Sequence, residues 1–315
     1  MTAPGCLVVF YHYVRDAART PLPGIRALRP EGFRAQLDWL QARYDVIDGP
    51  AFERALVERR PFVRPTALLT FDDGFTDHYT HVFPELRARG LGGVFFVAGA
   101  TLADRPALLN VHKTHALLSH LGAETLAAEV REGVVEATAV AGAGAARDGV
   151  YRYDGSPETF VKRLLNYELP YPVADAVLET LFARHLGDAE AFARELYLTP
   201  AQIGKMARGG MTFGFHTERH RVLSRLDRGQ QHGELARGAA LVRGLTGQAA
   251  VPFCYPYGFP HTYNADTHAV LRDVGYTMAF NTVRRVARPE HDPPYEIPRV
   301  DTRDVPPEGQ AVPLA

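Results

Sequence analysis

The stretch "TALLTFDDGF", residues 66–75, decides the fold class. Residues 66–71 are apolar or β-branched without polar alternation, which is typical of a parallel strand buried on both faces. Two adjacent carboxylates, Asp72 and Asp73, follow directly, and Gly74 then permits a turn. Because two like charges at the end of a buried strand cost stability, we expect a compensating group beside them.

Seven other short apolar runs recur along the chain, separated by helical patterns or loops. They cover residues 6–12, 44–47, 93–98, 211–216, 251–257, 277–281 and 296–300. Amphipathic segments such as 33–44 and 79–90 lie between them. This alternation predicts a parallel α/β architecture, barrel-like or doubly wound, in which functional groups gather where the strands end.

One long segment interrupts the alternation. Residues 102–198 contain no strand pattern and are rich in Ala- and Leu-containing helical repeats, with a flexible connection predicted at 139–149. Thr199 and Pro200 then supply the N-cap and first position of a new helix. We predict two barrel segments, 1–101 and 199–303, a helical insertion at 102–198 that forms a cap, and a poorly ordered tail at 304–315.

Composition excludes several classes of partner and site. Lys and Arg number 35 against 36 Asp and Glu, so no basic field indicates nucleic acid or an anionic membrane.

The apolar run at residues 6–11 lacks a basic flank and is too short for a signal peptide or a membrane span, so we expect a cytoplasmic protein. The two cysteines, Cys6 and Cys254, lie far apart without CxxC spacing, which leaves histidine and carboxylate as metal ligands. Nothing in the sequence indicates an oligomeric state.

Two histidines suggest a metal site. His216 and His220 are four residues apart, and a helical turn would put both imidazoles on one face. A carboxylate would complete a His₂Asp set with a coordination position left for water. We therefore predict that one aspartate of the pair binds the ion, which also relieves the repulsion, while the other stays unligated and takes a proton. Taken singly, each motif has a simpler interpretation: a DDG turn, or an exposed histidine pair.

Three motifs together resemble those of the NodB-homology polysaccharide deacetylases of carbohydrate esterase family 4. They are "TFDDG" (70–74), "HTERH" (216–220) and "FCYPYG" (253–258), the last in the variant form of an F-x-Y-P-Y-G subgroup. The resemblance implies a distorted (β/α) barrel with fewer than eight regular strands, and metal-dependent removal of acyl groups. It also implies that Asp72 is the general base, that the Tyr257 N–H donates to the oxyanion, and that the metal ligands are Asp73, His216 and His220.

The chain departs from the family pattern in two places. The arginine that orients the base in the commoner third motif is replaced by Cys254, and Arg299 is our candidate substitute. The alternative for Arg299 is a surface ion pair with Asp301 or Asp304. The late histidine that protonates the leaving amine has no match after residue 291. Candidates for this proton donor, or for a substrate contact, are His12, His112, His115 and His261, each of which could instead be a packing or exposed histidine.

The expected substrate is an N-acetylated or N-formylated amino sugar, discrete or carrier-linked rather than a long polymer. Zn is the expected ion, with Co or Ni as alternatives, because such ligands accept several divalent metals. One alternative is a hydrolase of a non-sugar amide or cyclic imide, which Tyr11, Tyr13 and Phe259 would also suit. The other is a degenerate carbohydrate-binding protein.

Overall fold

The computed structural model describes residues 4–141, 155–307 and 309. Two compact units emerge. The first takes in the described residues up to Asp16, then Ala27–Leu102 and the described residues from Leu196 onward. The second takes in Ala17–Arg26 and the described residues within Ala103–Glu195. Residues 17–26, which we predicted to belong to the barrel, belong with the helical unit, because Gly24 donates to Ser119 and Arg26 pairs with Glu158.

The first unit is built on a parallel sheet. Its strands are β1 (Cys6–Tyr11), β2 (Asp45–Ile47), β3 (Thr66–Phe71), β4 (Val94–Val97), β5 (Thr212–Phe215), β6 (Phe253–Cys254), β7 (Ala279–Phe280) and β8 (Val300–Asp301). The order is β7-β6-β5-β4-β3-β1-β8, with β2 paired to the start of β3. Ile297 bridges to Phe280 of β7, while Val300 pairs with Val9 of β1, so one segment links both edges. This confirms the predicted distorted (β/α) barrel.

The last strands are shorter than the apolar runs that predicted them. The run 251–257 yields only the two residues of β6, and 296–300 contributes only the start of β8. Pro252, Pro256 and Pro298 lie within these runs and have no N–H to donate to a ladder.

Both faces of the sheet are apolar. In β1, Leu7, Val9 and Tyr11 belong to the larger hydrophobic cluster, whereas Cys6 and Val8 belong to a second one. Every residue of β1 and β3 is buried. The uninterrupted apolar runs therefore arise because alternate side chains enter two different cores.

Helices flank the strands in the first half of the chain. They are α1 (Pro30–Gln41), α2 (Gly49–Val57) and α3 (Phe83–Ala88). The helix predicted at 79–90 is instead a π-helical turn, His78–Val82, followed by α3. Pro84 has no N–H for an ordinary helical bond to Thr80, and Phe83 donates to the carbonyl of His78, five residues back.

The second unit is helical. Its helices are α4 (Asn110–Leu121), α5 (Ala123–Ala141), α6 (Pro157–Arg163) and α7 (Tyr171–His185), and α8 (Ala189–Leu196) runs to its end. Helix α5 packs against α6 and α7, with Leu126 and Val130 buried. Lys113 of α4 forms an ion pair with Glu179 of α7. The connection predicted at 139–149 lies largely outside the described residues.

The remaining helices complete the first unit. They are α9 (Pro200–Arg208), α10 (Arg228–Leu235), α11 (Gly238–Thr246) and α12 (Ala265–Val274). The predicted N-cap is confirmed, since Thr199 forms a reciprocal capping box with Gln202.

The start of the predicted tail is packed against the first unit. Gln36 donates to the carbonyls of Thr302 and Val305, at 2.8 and 3.0 Å, and the Val305 side chain is buried. The start of the tail, which we predicted from its prolines to be poorly ordered, is therefore fixed by these contacts. Residues 308 and 310–315 lie outside the described part. Within the described residues, no helix has the length and apolar character that a bilayer crossing requires.

Candidate active site

Asp72 and Asp73, the two aspartates of the stretch 66–75, follow β3 directly. The Asp72 N–H still donates to the Tyr11 carbonyl at 2.9 Å, as an extension of the β1–β3 ladder. The backbone then turns through positive φ at Asp73 (73°) and Gly74 (66°). Both carboxylates are buried. The turn gives the two side chains different surroundings, although they are adjacent in sequence.

Asp72 is held by Arg299. The guanidinium donates through Nη1 to Oδ1 and through Nη2 to Oδ2, both at 2.8 Å. Arg299 is only 1% exposed; it follows Pro298 and directly precedes β8. The alternative surface pair with Asp301 or Asp304 is not formed; these two acids pair with Arg303 and Arg284.

All five N–H groups of Arg299 have acceptors. Besides the two bonds to Asp72, Nε donates to the Asn281 carbonyl at 3.0 Å and Nη1 to Thr70 Oγ1 at 3.2 Å. The fifth goes from Nη2 to Cys254 Sγ at 3.0 Å. A guanidinium carries five donors in a fixed plane, so this set fixes its position and orientation. Cys254, at the place of the family's missing arginine, thus accepts a bond from its substitute.

Electrostatics keep Asp72 ionised. Burial by itself raises the pKa of this carboxyl, but the charge and hydrogen bonds of Arg299 outweigh it, and the net pKa is lowered. Asp72 is therefore an anion at neutral pH, in the form that can accept a proton.

Asp73 lies beside two imidazoles. Its Oδ1 is 3.5 Å from Nε2 of His216 and 3.5 Å from Nε2 of His220. One ligand atom of each of the three residues lies within 4.8 Å of the others. Ligand atoms around a tetrahedral zinc ion, at bond lengths of about 2.0–2.2 Å, are roughly 3.4 Å apart. The donor set and its spacing therefore fit a divalent cation.

A second contact orients His216 for such an ion. Nδ1 is 2.7 Å from the carbonyl of Cys254, which can only accept, so Nδ1 carries the proton. Nε2 then presents its lone pair towards Asp73. Burial lowers the pKa of His216 by more than the two aspartates raise it, which favours the neutral, ligating form.

The loop that carries these histidines is not the predicted helical turn. His216 follows β5, and φ is positive at Thr217 (64°) and His220 (56°), so the backbone between them is not helical. The His220 N–H donates to Thr217 Oγ1 at 2.8 Å, a side-chain bond that stabilises the turn. The two imidazoles meet through this irregular loop rather than along a helix face.

Helix α10 supports the same loop. Glu234 accepts the Arg219 N–H at its Oε2 and the Glu218 N–H at its carbonyl, at 2.8 and 2.9 Å. Glu218 in turn pairs through both carboxylate oxygens with Arg237. Sequence reasoning missed Glu234, because a residue fourteen positions from His220 carries no local sign of this contact.

The third motif forms a tight turn next to His220. Tyr257 has φ of 63°, and its ring lies 4.9 Å from the His220 ring, centroid to centroid. Gly258 has φ of 68°, and an added Cβ there would lie 2.7 Å from Thr282 Cγ2. Only glycine fits this position without displacing Thr282.

Backbone strain is concentrated in these loops. Five described non-glycine residues have positive φ, and four of them are Asp73, Thr217, His220 and Tyr257. Such conformations cost about 1–3 kcal/mol each and persist only where surrounding structure imposes them. Their clustering marks this rim as a functional site.

The four candidate histidines have different surroundings. His12 has a 45% exposed side chain, and its Nε2 is 3.9 Å from Oδ2 of both Asp72 and Asp73. His261 is exposed beside Phe259. His112 and His115 lie on α4 of the helical unit, with ring centroids 6.0 Å apart. Of the four candidate histidines, His12 is thus the one with a recorded contact to both aspartates.

Solved structures with the same fold include three bacterial proteins. The Streptococcus pyogenes deacetylase PplD, in complex with acetate, is 16% identical with a TM-score of 0.59, over 98% of this chain and 96% of that one. IcaB from Ammonifex degensii is 20% identical with a TM-score of 0.57, over 95% and 92%. The BpsB deacetylase domain from Bordetella bronchiseptica is 19% identical with a TM-score of 0.55, over 94% of each chain. Among curated protein sequences, none matches this chain.

A family model matches the sequence directly. The model described as polysaccharide deacetylase covers residues 59–136 and 170–279, together more than half of the chain. The matched residues include both aspartates, both ligand histidines and the Tyr257 turn, whereas His12 and Arg299 lie outside them. By this match and this fold, the chain belongs to the polysaccharide deacetylase family.

Proposed function

We propose that the chain is a metal-dependent hydrolase that removes an N-acyl group, acetyl or formyl, from an amino sugar. The observation that carries the proposal is that the two adjacent acids, Asp72 and Asp73, have different partners. Asp73 lies with two imidazoles in a metal-ligand arrangement, while Asp72 is clamped by Arg299 as a buried anion. A hydrolase of this class needs both a cation site and a separate base.

The residues that would hold the cation are Asp73, His216 and His220. When bound, the ion supplies a Lewis acid and lowers the pKa of water towards ~7. Asp72 takes a proton from the attacking water at one of its carboxylate oxygens. Each oxygen accepts one bond from Arg299, and a carboxylate oxygen has two lone pairs, so the bonds to Arg299 alone do not prevent it from taking a proton.

The backbone N–H of Tyr257 is our candidate donor to the oxyanion. The strained turn at Tyr257 and Gly258 fixes the direction of this peptide, and the Thr282 N–H holds the Gly258 carbonyl at 2.9 Å. A preorganised donor of this kind contributes roughly 2.7–4 kcal/mol in other hydrolases.

His12 is our candidate donor of the proton that the leaving amine requires. Its Nε2 lies beside both aspartates, and its partly exposed ring can exchange protons with water.

The substrate is an amino sugar within a discrete or carrier-linked molecule. Two of the three similar structures are described as deacetylases, one in complex with acetate, and this supports acetate as the first product to assay. Strong activity on long chitin oligomers, with none on small or carrier-linked sugars, would contradict the discrete-substrate part of the proposal.

The test is acyl release by purified protein. The protein is stripped with a chelator, reloaded separately with Zn, Co or Ni, and assayed for acetate and formate from a panel of N-acylated sugars. We expect release only with metal. Two matched variants separate the roles: Asp72→Asn should lose turnover and keep metal, whereas His216→Ala should lose both. Equal metal loss in the two variants would show that the roles are wrongly divided.

A further inference from the structure

His12, the proposed proton donor, follows β1 directly and is held only weakly through its side chain. The imidazole meets the Phe10 ring edge to face, and its Nε2 lies 3.9 Å from the carboxylates of Asp72 and Asp73. A separation of 3.9 Å exceeds hydrogen-bond distance. The position of the imidazole therefore depends on the backbone that carries it.

The peptides on both sides of the His12 Cα are fixed by hydrogen bonds. The carbonyl before it, that of Tyr11, accepts the Asp72 N–H at 2.9 Å. The carbonyl after it, that of His12 itself, lies 2.9 Å from Nε2 of His78. Each carbonyl belongs to a rigid peptide plane, and the two planes meet at the His12 Cα. The two bonds together restrict φ and ψ of His12, and so the direction in which its side chain leaves the backbone.

His78 is a neutral donor with a single N–H. It begins the π-helical turn His78–Val82 and is fully buried. The His12 carbonyl can only accept, so Nε2 of His78 carries the proton. Burial lowers the pKa of His78 by more than the His12 carbonyl and the nearby aspartates raise it, which keeps the ring uncharged. The one N–H of this imidazole is therefore used on His12.

Packing alone does not explain a histidine at this position. The His78 ring lies among Phe71, Phe75 and Phe95, at centroid distances of 5.6, 5.7 and 5.6 Å. Its Nδ1 is buried and has no hydrogen-bond partner among the described residues. A buried polar atom without a partner lowers stability, so an apolar side chain would suit this site better if only packing mattered. The Nε2–H bond to His12 is the contact that an apolar side chain could not make.

The residue before His78 holds the same loop further along. Asp77 Oδ2 accepts the Val14 N–H at 3.1 Å and Nε of Arg15 at 2.7 Å. Two adjacent residues at the start of the π-helical turn thus fix the segment 12–15 at three points. Turns of this kind are frequent at functional sites.

We propose that His78 is a positioning residue: it fixes the peptide that follows His12 and so keeps the His12 imidazole beside Asp72 and Asp73. The inference rests on the proposed function and adds to it the group that orients the proton donor. As the C–N bond of the substrate breaks, the proton passes from His12 Nε2 to the amine nitrogen. A small displacement of the donor lowers the rate of such a step.

The first test compares variants of the zinc-loaded protein on two substrates. His78→Phe keeps a flat buried ring and removes the donor, whereas His78→Gln keeps an N–H at the end of the side chain. His78→Phe should lower kcat for acetate release from N,N′-diacetylchitobiose about tenfold, with zinc content unchanged. It should change the rate on p-nitrophenyl acetate less than twofold, because that leaving group needs no proton. His78→Gln should recover most of the loss.

A matched control removes a buried donor elsewhere in the same unit. Tyr276 Oη donates to the Leu235 carbonyl at 2.8 Å, and Tyr276→Phe deletes this bond. Both rates should stay at the wild-type level in that variant. In the His12→Gln background, His78→Phe should cause no further loss on the amide, because the group it positions is already absent.

Crystal structures of the zinc-loaded variants test the position of His12 without turnover. We expect the imidazole to leave the two aspartates in His78→Phe and to keep its place in His78→Gln. His78→Leu, which is smaller and also lacks a donor, serves if the phenylalanine variant does not fold. Absence of acyl release by the wild-type protein would overturn the proposed function, while the structures would still decide the role of His78. An unmoved His12 in His78→Phe, or equal losses on amide and ester, would overturn the positioning role.

Discussion

Replacing Arg299 by lysine tests whether the guanidinium orients the general base. Lysine keeps the positive charge but has three N–H groups on one nitrogen, in place of five in a planar fork. It cannot reproduce the paired bonds to both oxygens of Asp72 together with those to Thr70, Cys254 and the Asn281 carbonyl. The substitution therefore removes geometry while it retains charge.

The expected loss follows from the bonds to Asp72. A hydrogen bond to a charged group contributes about 1.5–3 kcal/mol, so losing one of the pair corresponds to roughly a 10- to 150-fold decrease in rate. The loss should fall on kcat rather than KM, because the base acts on the attacking water and not on substrate binding. Zinc content should stay at the wild-type level.

The pH profile supplies an independent readout of Arg299→Lys. Burial raises the pKa of Asp72 and Arg299 lowers it, with a net lowering in the native protein. Weakening the pair should raise this pKa, so the acid limb of kcat/KM should move to higher pH. Arg303→Lys, at the exposed pair with Asp301, is the control and should leave the profile unchanged.

A double-mutant cycle completes the test. In the Asp72→Asn background, Arg299→Lys should cause little further loss of rate, because the group it orients is already inactive. An unchanged kcat and acid limb in the single variant, or a fully additive double variant, would refute the view that Arg299 acts through Asp72.

Three further predictions concern neighbouring residues. Cys254→Ser should keep an acceptor for Arg299 and fold normally, whereas Cys254→Leu should lower the free energy of unfolding in denaturant by about 1–3 kcal/mol; equal stability of the two would contradict the role of the sulfur. Glu234→Gln should weaken zinc binding about tenfold in chelator competition, since the loop of His220 loses a charged acceptor. Unchanged zinc affinity would mean that this loop keeps its conformation without the Glu234 carboxylate. His12→Gln should lower kcat about 100-fold on an amide but much less on p-nitrophenyl acetate, whose leaving group needs no proton; equal losses would rule out His12 as the proton donor.

The sequence could predict features that depend on local pattern. Uninterrupted apolar runs locate the main strands because both faces of this sheet are buried. Arg299 could be proposed because it lies near the end of the last run, and the structure places it against Asp72. The polar groups at strand ends meet because parallel strands end at the same edge of a barrel.

Features that depend on tertiary constraint could not be predicted in the same way. The spacing of His216 and His220 indicated a helical turn, but positive φ at Thr217 and His220 is imposed by bonds from distant residues such as Glu234. Positive φ is uncommon for any residue other than glycine and is a genuine outlier for a β-branched residue such as threonine, so the sequence offered no reason to expect it at Thr217. The contact between Cys254 and Arg299 joins residues 45 positions apart and likewise has no local signal.

The most direct test of the account is the position of the metal. Anomalous diffraction at the zinc edge, from crystals of the zinc-loaded protein, should show one ion bonded to Asp73 Oδ1 and to Nε2 of His216 and His220. Asp72 should remain paired with Arg299 and outside bonding distance of the ion. An ion bound by Asp72, or one located away from these three side chains, would contradict the assignment of base and ligands.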